Sequence, residues 1–307
     1  MVEVEHLIKR YRKAPRNAVD DISFTVGAGE FFALLGPNGA GKTTTISILT
    51  TTLAPTSGSV RIAGVDAHGD PAAVRRRIGI IFQNPSLDMN LSGEENVRLH
   101  AILYGLYPYR PSYRLMPAEY RRHIAETAAV LAMESAMFQP VRKLSGGMRR
   151  KLEIVRGLLH RPRVLFLDEP TAALDAASRR GLWAYLAEIR RRRETTIVLT
   201  THYLEEAEAA DNILILNHGR IAAQGSPDQI KGRMSGESLE VDAENRDALR
   251  SELIRRGLRF DEQGSFLIYP DTQSAYEVVR AITTPLTVLR TRQASLEEVY
   301  LGIVGNE

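Results

Sequence analysis

Short apolar runs alternate with longer amphipathic stretches up to about residue 225, and this order predicts a succession of strands and helices. Helices are predicted from about residue 42 to 53 and from about 178 to 191. Strands are predicted in "VEVEHLI", "DDISFTV" and "FFALL" within residues 1–35, and at residues 77–83, 163–167 and 195–201. Strands that alternate with helices indicate an α/β fold with a mostly parallel sheet and helices on its faces.

Two stretches depart from this alternation. Residues 94–139 have helical periodicity and few strand signals, which indicates a helical subdomain of about residues 86–158 inserted into the sheet. A hairpin is predicted at residues 212–225, with its turn at 217–219. The pattern then changes to a small α+β unit. We therefore expect one domain over residues 1–230 and an accessory domain over 231–307, joined near "IKGRMSGES".

The composition is that of an ordinary globular protein, since 44% of the 307 residues are hydrophobic and 25% are charged. No run approaches the roughly 18 apolar residues that a membrane-spanning helix needs. The N-terminus is charged and alternating, unlike a secretory signal, so we expect a cytosolic chain. The sequence contains no cysteine, which excludes disulfides, thiolate catalysis and cysteine zinc sites.

The formal net charge is only +3, but basic residues cluster at 75–77, 149–151 and 190–193. Such clusters are usually solvated faces of helices, and we expect that here. Binding to nucleic acid is not expected, because no aromatic side chains interleave these runs as a single-strand groove requires.

The segment "LLGPNGAGKTTT" matches the phosphate-binding pattern G-x-x-x-x-G-K-[ST] from Gly36 to Thr43. It follows an apolar strand and opens a helix, which is the context that this pattern requires. Glycines allow the backbone amides of residues 39–44 to approach phosphate oxygens. Lys42 would reach the β- and γ-phosphates, and the Thr43 hydroxyl would ligate Mg²⁺. These residues predict a protein that binds ATP or GTP.

Further polar residues stand at the predicted C-terminal ends of strands, where open α/β sheets bind ligands. Asp168 ends "RVLFLD" and is suited to Mg²⁺, and Glu169 could polarise a water in line with the γ-phosphate. The alternative for this pair is capping of a helix. Gln83 could contact Mg²⁺ or the attacking water, and His202 could bond the γ-phosphate.

The segment "KLSGGMRRK" at residues 143–151 adds a second anion-binding pattern. Its serine and two glycines precede a basic amphipathic run, and a helix N-terminus of this kind favours a phosphate. A chain with one phosphate loop therefore carries two phosphate-binding patterns.

The order and spacing of these segments closely resemble those of the ATP-binding-cassette (ABC) ATPases over residues 1 to about 230. The resemblance implies a P-loop NTPase fold with a mixed, mostly parallel sheet, the inserted helical subdomain and the small C-terminal α+β domain. It also implies ATP and Mg²⁺ as ligands. In that family two chains dimerise head to tail around two ATP molecules. The serine–double-glycine segment of one chain would then cap the γ-phosphate that the other chain's P-loop holds.

The resemblance assigns the expected roles residue by residue. The catalytic residues would be Glu169, His202 and Gln83, and the metal would be bound by Thr43, Gln83 and Asp168. The serine–double-glycine segment is the family's signature, and here Met148 replaces the glutamine that usually ends it. Ala172 stands where serine or glycine is commoner in the family. The nucleotide would be bound by Tyr11 against adenine, Gly36, Asn38, Gly39, Ala40, Gly41, Lys42, Thr43, Thr44, Ser145, Gly146, Gly147 and, across the dimer, Asp175.

Within the family, the chain is similar to stand-alone ATPase subunits of ABC-2-type exporters, such as the daunorubicin-resistance and nodulation-factor ATPases. This similarity implies a separate multi-span permease and a peripheral position on the cytoplasmic face of the membrane. The permease would contact the helical insertion near residues 87–105. Apolar residues and tyrosines between 103 and 113 would either line that contact or pack inside the insertion. An ABC importer ATPase and a soluble non-transport ABC ATPase are the alternatives.

Overall fold

A computed structural model describes residues 1–81, 86–171, 174–193, 195–233, 238–269, 275–292 and 295–305. The chain folds into two compact units, Met1–Gln224 and Gly225–Glu307. Across the described residues, no helix is long and apolar enough to cross a membrane.

The elements up to Gly225 alternate much as the hydrophobic pattern predicts. The strands are β1 (Val2–Lys9), β2 (Val19–Val26), β3 (Phe31–Leu35), β4 (Ser57–Ile62), β5 (Val65–Asp66), β6 (Ile78–Ile81), β7 (Val164–Asp168), β8 (Thr196–Thr200), β9 (Asn212–Asn217) and β10 (Arg220–Gly225). The α-helices are α1 (Lys42–Leu49), α2 (Pro71–Arg75), α3 (Gly93–Leu103), α4 (Ala118–Val130), α5 (Gly146–Leu158), α6 (Ala176–Arg193) and α7 (Leu204–Ala207).

A six-stranded sheet in the order β10-β9-β3-β8-β7-β6 forms the centre of the first unit. The pairs β9–β3, β3–β8, β8–β7 and β7–β6 are all parallel. Strands β3, β7 and β8 are buried along their whole length, as expected for parallel strands covered on both faces. Because they are parallel, β3, β7 and β8 end at the same edge of the sheet. The predicted site residues at and after these strand ends therefore lie close together.

A second, antiparallel sheet has the order β2-β1-β4-β5. Its inward side chains share one core with the parallel sheet and α1, and the rings of Phe24 and Phe32 stack with centroids 5.4 Å apart. Strands β4 and β5 were not predicted. Strand β4 begins with the exposed residues "SGS", so its apolar alternation is too short to recognise.

The helical insertion comprises α3, α4 and α5. A reciprocal capping box between Ser92 and Glu95 fixes the start of α3. Between residues 103 and 113 some side chains pack inside the insertion and others are exposed. The Tyr107 and Tyr113 rings pack edge-on against the buried Tyr120, whereas Leu103 is 74% exposed and Tyr109 69% exposed.

The second unit is an α+β fold with its own core. Its elements are α8 (Pro227–Arg233), β11 (Ser238–Asp242), α9 (Arg246–Arg255), β12 (Arg259–Gln263), β13 (Ser265–Tyr269), α10 (Ala275–Ala281), β14 (Val288–Arg292) and α11 (Leu296–Val304). The sheet order is β12-β13-β11-β14, and the pairs β12–β13, β13–β11 and β11–β14 are antiparallel. Phe266, Ile268 and Leu253 are fully buried in this core. Strand β12 was not predicted.

Candidate nucleotide site

The loop between β3 and α1 has a backbone that needs glycine. Gly41 precedes α1 with φ 104°, in the left-handed region that side chains rarely adopt. A Cβ at this position would lie 2.5 Å from the Ala18 carbonyl oxygen. Glycine at this position of the pattern is therefore required by close backbone packing as well as by any ligand.

Lys42 is the first residue of α1, and its side chain folds back over the loop. Its Nζ donates hydrogen bonds to the carbonyl oxygens of Gly36 (2.6 Å) and Pro37 (3.0 Å). Burial lowers the pKa of Lys42, and the nearby charges of Glu169 and Asp168 counteract that effect. The ammonium group thus lies between the loop that joins β3 to α1 and the two carboxylates.

A cleft of about 340 Å³ opens where the loop faces the end of β7. This volume lies within the range of small-ligand sites. The cleft combines backbone amides, a cation, hydroxyls and carboxylates, which is a donor set suited to a polyphosphate with a divalent cation. Its lining residues are Ala18, Asn38, Gly39, Gly41, Lys42, Thr43, Thr44, Asp168 and Glu169.

Asp168 is the last residue of β7 and is 7% exposed. Its carboxylate accepts a hydrogen bond from the Thr200 hydroxyl, which lies opposite it on β8. Burial and the charge of Glu169 raise the pKa of Asp168, against the hydrogen bond from Thr200. A cation beside this carboxylate would favour its ionised form, so the residue fits a Mg²⁺ ligand.

Glu169 leaves strand geometry immediately after β7. Its φ is 47°, a left-handed conformation that costs a non-glycine residue about 1–3 kcal/mol. The Glu169 amide donates to the Thr200 carbonyl at 3.0 Å, and its carboxylate lies 3.2 Å from His202 Nδ1. The structure therefore brings together the two residues predicted at the ends of β7 and β8.

A buried carboxylate that was not predicted links these two strand ends. Glu206, in α7, is 7% exposed and accepts hydrogen bonds from the hydroxyls of Thr171 and Thr201. Thr171 follows Glu169 by two residues, and Thr201 directly precedes His202. Glu206 thus ties the segment that carries Glu169 to the segment that carries His202.

The expectation that the basic cluster at 149–151 is solvated is wrong for Arg150, which is 3% exposed. Its guanidinium donates to the carbonyl oxygens of Asp168 (2.8 Å), Glu169 (3.0 Å) and Pro170 (3.0 Å). It also pairs with Glu153 at 3.2 Å. The spacing of basic residues on α5 gave no sign that one of them faces the protein interior at this point.

Tyr11 follows β1, and its hydroxyl lies 3.3 Å from the Thr44 hydroxyl of α1. The ring is 45% exposed at the side of the loop that joins β3 to α1. Tyr11 is therefore placed where a planar base could stack on it.

Ala40 is buried in the loop that joins β3 to α1, and its carbonyl accepts a hydrogen bond from the Gly219 amide at 3.1 Å.

The signature residues lie at the N-terminus of α5. The Ser145 hydroxyl accepts from the Met148 amide at 3.3 Å and caps this helix. Ser145 and Gly146 are exposed, Gly147 is half-buried, and a Cβ on Gly146 would meet open space. Among the described residues that line the cleft, none belongs to this segment.

Asp175, predicted to contact the opposite chain, lies just before α6. Asp175 accepts hydrogen bonds from the Ser178 amide (2.8 Å) and hydroxyl (2.7 Å), which stabilises the start of α6. Gln83 and Ala172 lie outside the described residues, so their expected contacts remain predictions.

Sequence reasoning missed Thr200, Arg150 and Glu206. For Thr200 a usable signal existed, because parallel strands in register place it beside Asp168. The bonds from Arg150 to residues 168–170 and from Thr171 to Glu206 join residues 18 to 35 positions apart, and nothing in the local sequence of Arg150 or Glu206 indicates those partners.

A family model described as ABC transporter matches residues 19–172. The doxorubicin resistance ATP-binding protein DrrA of Mycobacterium tuberculosis is 36% identical, over 98% of this chain and 93% of the relative. The Nod factor export ATP-binding protein I of Ralstonia nicotianae is 35% identical, over 100% of this chain and 94% of the relative.

Solved structures give the same result for the fold. An ATP-binding subunit of an ABC transporter superposes with a TM-score of 0.68 at 32% identity, covering 76% of this chain and 92% of that one. A dimeric post-hydrolysis structure of the ATP-binding cassette MJ0796, bound to ADP and Pi, superposes with a TM-score of 0.66 at 28% identity, covering 74% and 98%.

The bridge through Glu206 generates a prediction that concerns structure alone. Glu206→Ala leaves two threonine hydroxyls without their acceptor, at a cost of about 1–3 kcal/mol for each group. We expect amide exchange at residues 168–171 and 200–203 to accelerate about tenfold or more, measured by hydrogen-exchange mass spectrometry. Glu206→Gln should exchange more slowly than the alanine variant, because its amide can accept one bond and donate the other.

Glu205 provides the matched control, since it is the preceding residue on α7 and is exposed. Glu205→Gln should leave exchange unchanged in both segments. Unchanged exchange in Glu206→Ala would show that the carboxylate does not hold the two strand ends together.

Proposed function

The chain belongs to the ABC transporter family of ATP-binding subunits, and we propose that it hydrolyses ATP between two copies of itself to drive an ABC-2-type exporter. The observation that carries this proposal is the separation of the two phosphate-binding segments. The described residues that line the P-loop cleft include none of the signature, while Ser145 and Gly146 are exposed. An exposed helix N-terminus that favours phosphate is explained if it completes the cleft of a second chain.

The P-loop half of the site would hold the triphosphate. Amides of residues 39–44 would face the phosphate oxygens, with Lys42 on the β- and γ-phosphates and Tyr11 against the adenine. To make this contact, Lys42 would give up hydrogen bonds to the carbonyls of Gly36 and Pro37. Its ammonium group has three N–H donors, which can turn to the phosphate oxygens instead. Asn38 and Gly39 are exposed in the lining of the cleft, and a Cβ on Gly39 would meet open space.

The residues also fit Mg²⁺, which prefers oxygen ligands and retains several waters. Asp168, with its raised pKa, and the exposed Thr43 hydroxyl supply such oxygens at the cleft, and Gln83 is proposed as a further ligand. When bound, the ion would neutralise charge on the β- and γ-phosphates during transfer.

Glu169 is proposed as the general base that takes a proton from the attacking water. His202 lies 3.2 Å from its carboxylate, is proposed to orient it and, through its exposed ring, to bond the γ-phosphate. Ser145, Gly146 and Gly147 of the second copy would donate to the same phosphate, and Asp175 would contact the opposite chain. Enclosing the phosphate between two chains excludes water and strengthens each of these bonds.

Relatives that resemble the whole chain are named for drug resistance and Nod factor export, which supports an export function. We propose that a separate permease at the cytoplasmic face of the membrane binds the helical insertion. Leu99, Leu103, Leu106 and Tyr109 present an exposed apolar surface on and after α3 that suits this contact.

Glu169→Gln tests the chemistry. The amide cannot accept the proton from water but keeps the size and most contacts of the carboxylate. We expect kcat for ATP hydrolysis to fall by about 10²-fold or more, while ATP binding persists and a stable dimer accumulates in ATP. Glu205→Gln is the charge-matched control. Turnover near the wild-type rate in Glu169→Gln would contradict the assignment.

Recovery of tagged protein from membranes of its native cell tests the transport assignment. We expect a polytopic membrane protein to co-purify with the wild type and to be lost from Leu103→Glu, since that residue is 74% exposed on the proposed contact surface. Ile254→Glu, at a 63% exposed position in the second unit, is the control and should retain it. Recovery of the wild type only with soluble partners would refute the export function.

A further inference from the structure

The buried guanidinium of Arg150 donates hydrogen bonds to three consecutive backbone carbonyls at the end of β7. Carbonyls of successive strand residues point alternately to opposite sides. Those of Asp168, Glu169 and Pro170 can all accept from one side chain because the chain leaves strand geometry at Glu169, where φ is 47°. The five donors of a guanidinium, held in a rigid fork, match such a set, whereas a lysine ammonium cannot span it.

Arg150 is itself held firmly in place. Its Nη1 lies 3.2 Å from Glu153, one turn further along α5. The other Glu153 oxygen accepts from the Ser86 amide at 2.8 Å, and Arg156 donates to the Ser86 carbonyl at 2.5 Å. Because Glu153 is 2% exposed and Arg150 3%, water does not compete for these bonds. The network therefore fixes α5 rigidly to the segment that contains Glu169.

The same helix carries the signature at its N-terminus. Ser145 caps α5, and Arg150 lies little more than one turn from it. A displacement of the helix N-terminus would therefore be transmitted directly to the carbonyls on both sides of Glu169. No flexible linker intervenes between these two points.

We propose that Arg150 is a positioning residue that maintains the left-handed conformation of Glu169 and couples it to the signature helix. This inference rests on the proposed function, in which the signature contacts ATP held by the second copy. Binding at that site would then adjust Glu169, which serves the ATP held by the chain's own P-loop. Arg150 thereby links the two ATP sites of the dimer.

The test uses the purified full chain with Arg150→Lys and Arg150→Met. We expect ATP affinity to stay within about threefold of the wild type, because Arg150 bonds the backbone carbonyls of residues 168–170 and the Glu153 carboxylate and is not one of the residues that line the cleft. We expect kcat to fall about 10²-fold in Arg150→Met and about tenfold in Arg150→Lys, as for a small misplacement of a catalytic group. The Hill coefficient for ATP should fall toward that of independent sites in both variants.

Arg98 offers a matched control for the loss of a buried arginine. It is 9% exposed, pairs with Glu94 on its own helix at 3.0 Å and donates to the Arg110 carbonyl at 2.7 Å. Arg98→Met removes a comparable set of bonds far along the chain from Glu169, so the folded protein should keep wild-type kcat and cooperativity. If Arg150→Met does not fold, Arg150→Lys and the charge-neutral pair Arg150→Met with Glu153→Gln give the same readouts.

Wild-type turnover and cooperativity in Arg150→Lys would overturn the inference and leave the proposed function intact. Equal losses of ATP affinity and kcat in Arg150→Lys and Arg98→Met would also overturn it, since they indicate a general structural role. A wild-type chain that neither hydrolyses ATP nor dimerises in the Glu169→Gln form would instead refute the proposed function, and the inference with it.

Discussion

The geometry of the site depends on the parallel pairing of β3, β8 and β7, which brings the C-terminal ends of three strands to one edge. One strand delivers the phosphate-binding loop and Lys42, the next delivers His202, and the third delivers Asp168 and Glu169. These groups are far apart in the sequence, and the pairing brings the Glu169 carboxylate within 3.2 Å of His202 Nδ1 and places Lys42, Asp168 and Glu169 in the lining of one cleft. The hydrophobic core beneath the strands stabilises the arrangement, because each of the three is buried along its length.

The segment after β7 combines a strained backbone with strong support on two sides. Glu169 adopts a left-handed conformation, which side chains disfavour. Arg150 holds its carbonyl and those of its neighbours from one side, and Glu206 binds Thr171 from the other. A conformation of this kind persists only where the surroundings determine it, and here the surroundings are buried charged groups whose bonding requirements are met within the protein.

The sequence predicted what short-range patterns encode. The phosphate loop, the carboxylates after β7, the hairpin of β9 and β10 and the order of the main strands follow from glycines, apolar runs and spacing. Helix α1 was predicted to reach residue 53 but ends at Leu49. Two residues later Thr51 has a φ of 62°, which is incompatible with a right-handed helix. Strand β4 and the bonds of Arg150 and Glu206 were not predicted, because each depends on partners that are distant in the sequence. Local propensity carries no information about such partners.

The central claim is that each ATP site is made from the P-loop of one chain and the signature of another, and a mixing experiment tests it directly. Lys42→Met disables the P-loop, and Gly146→Asp places a negative charge at the signature, where the structure leaves open space for it. Each variant alone should be inactive. An equal mixture should recover activity, up to about a quarter of wild-type ATP hydrolysis, since half of the dimers are mixed and each keeps one intact site. A mixture as inactive as its components would contradict the claim.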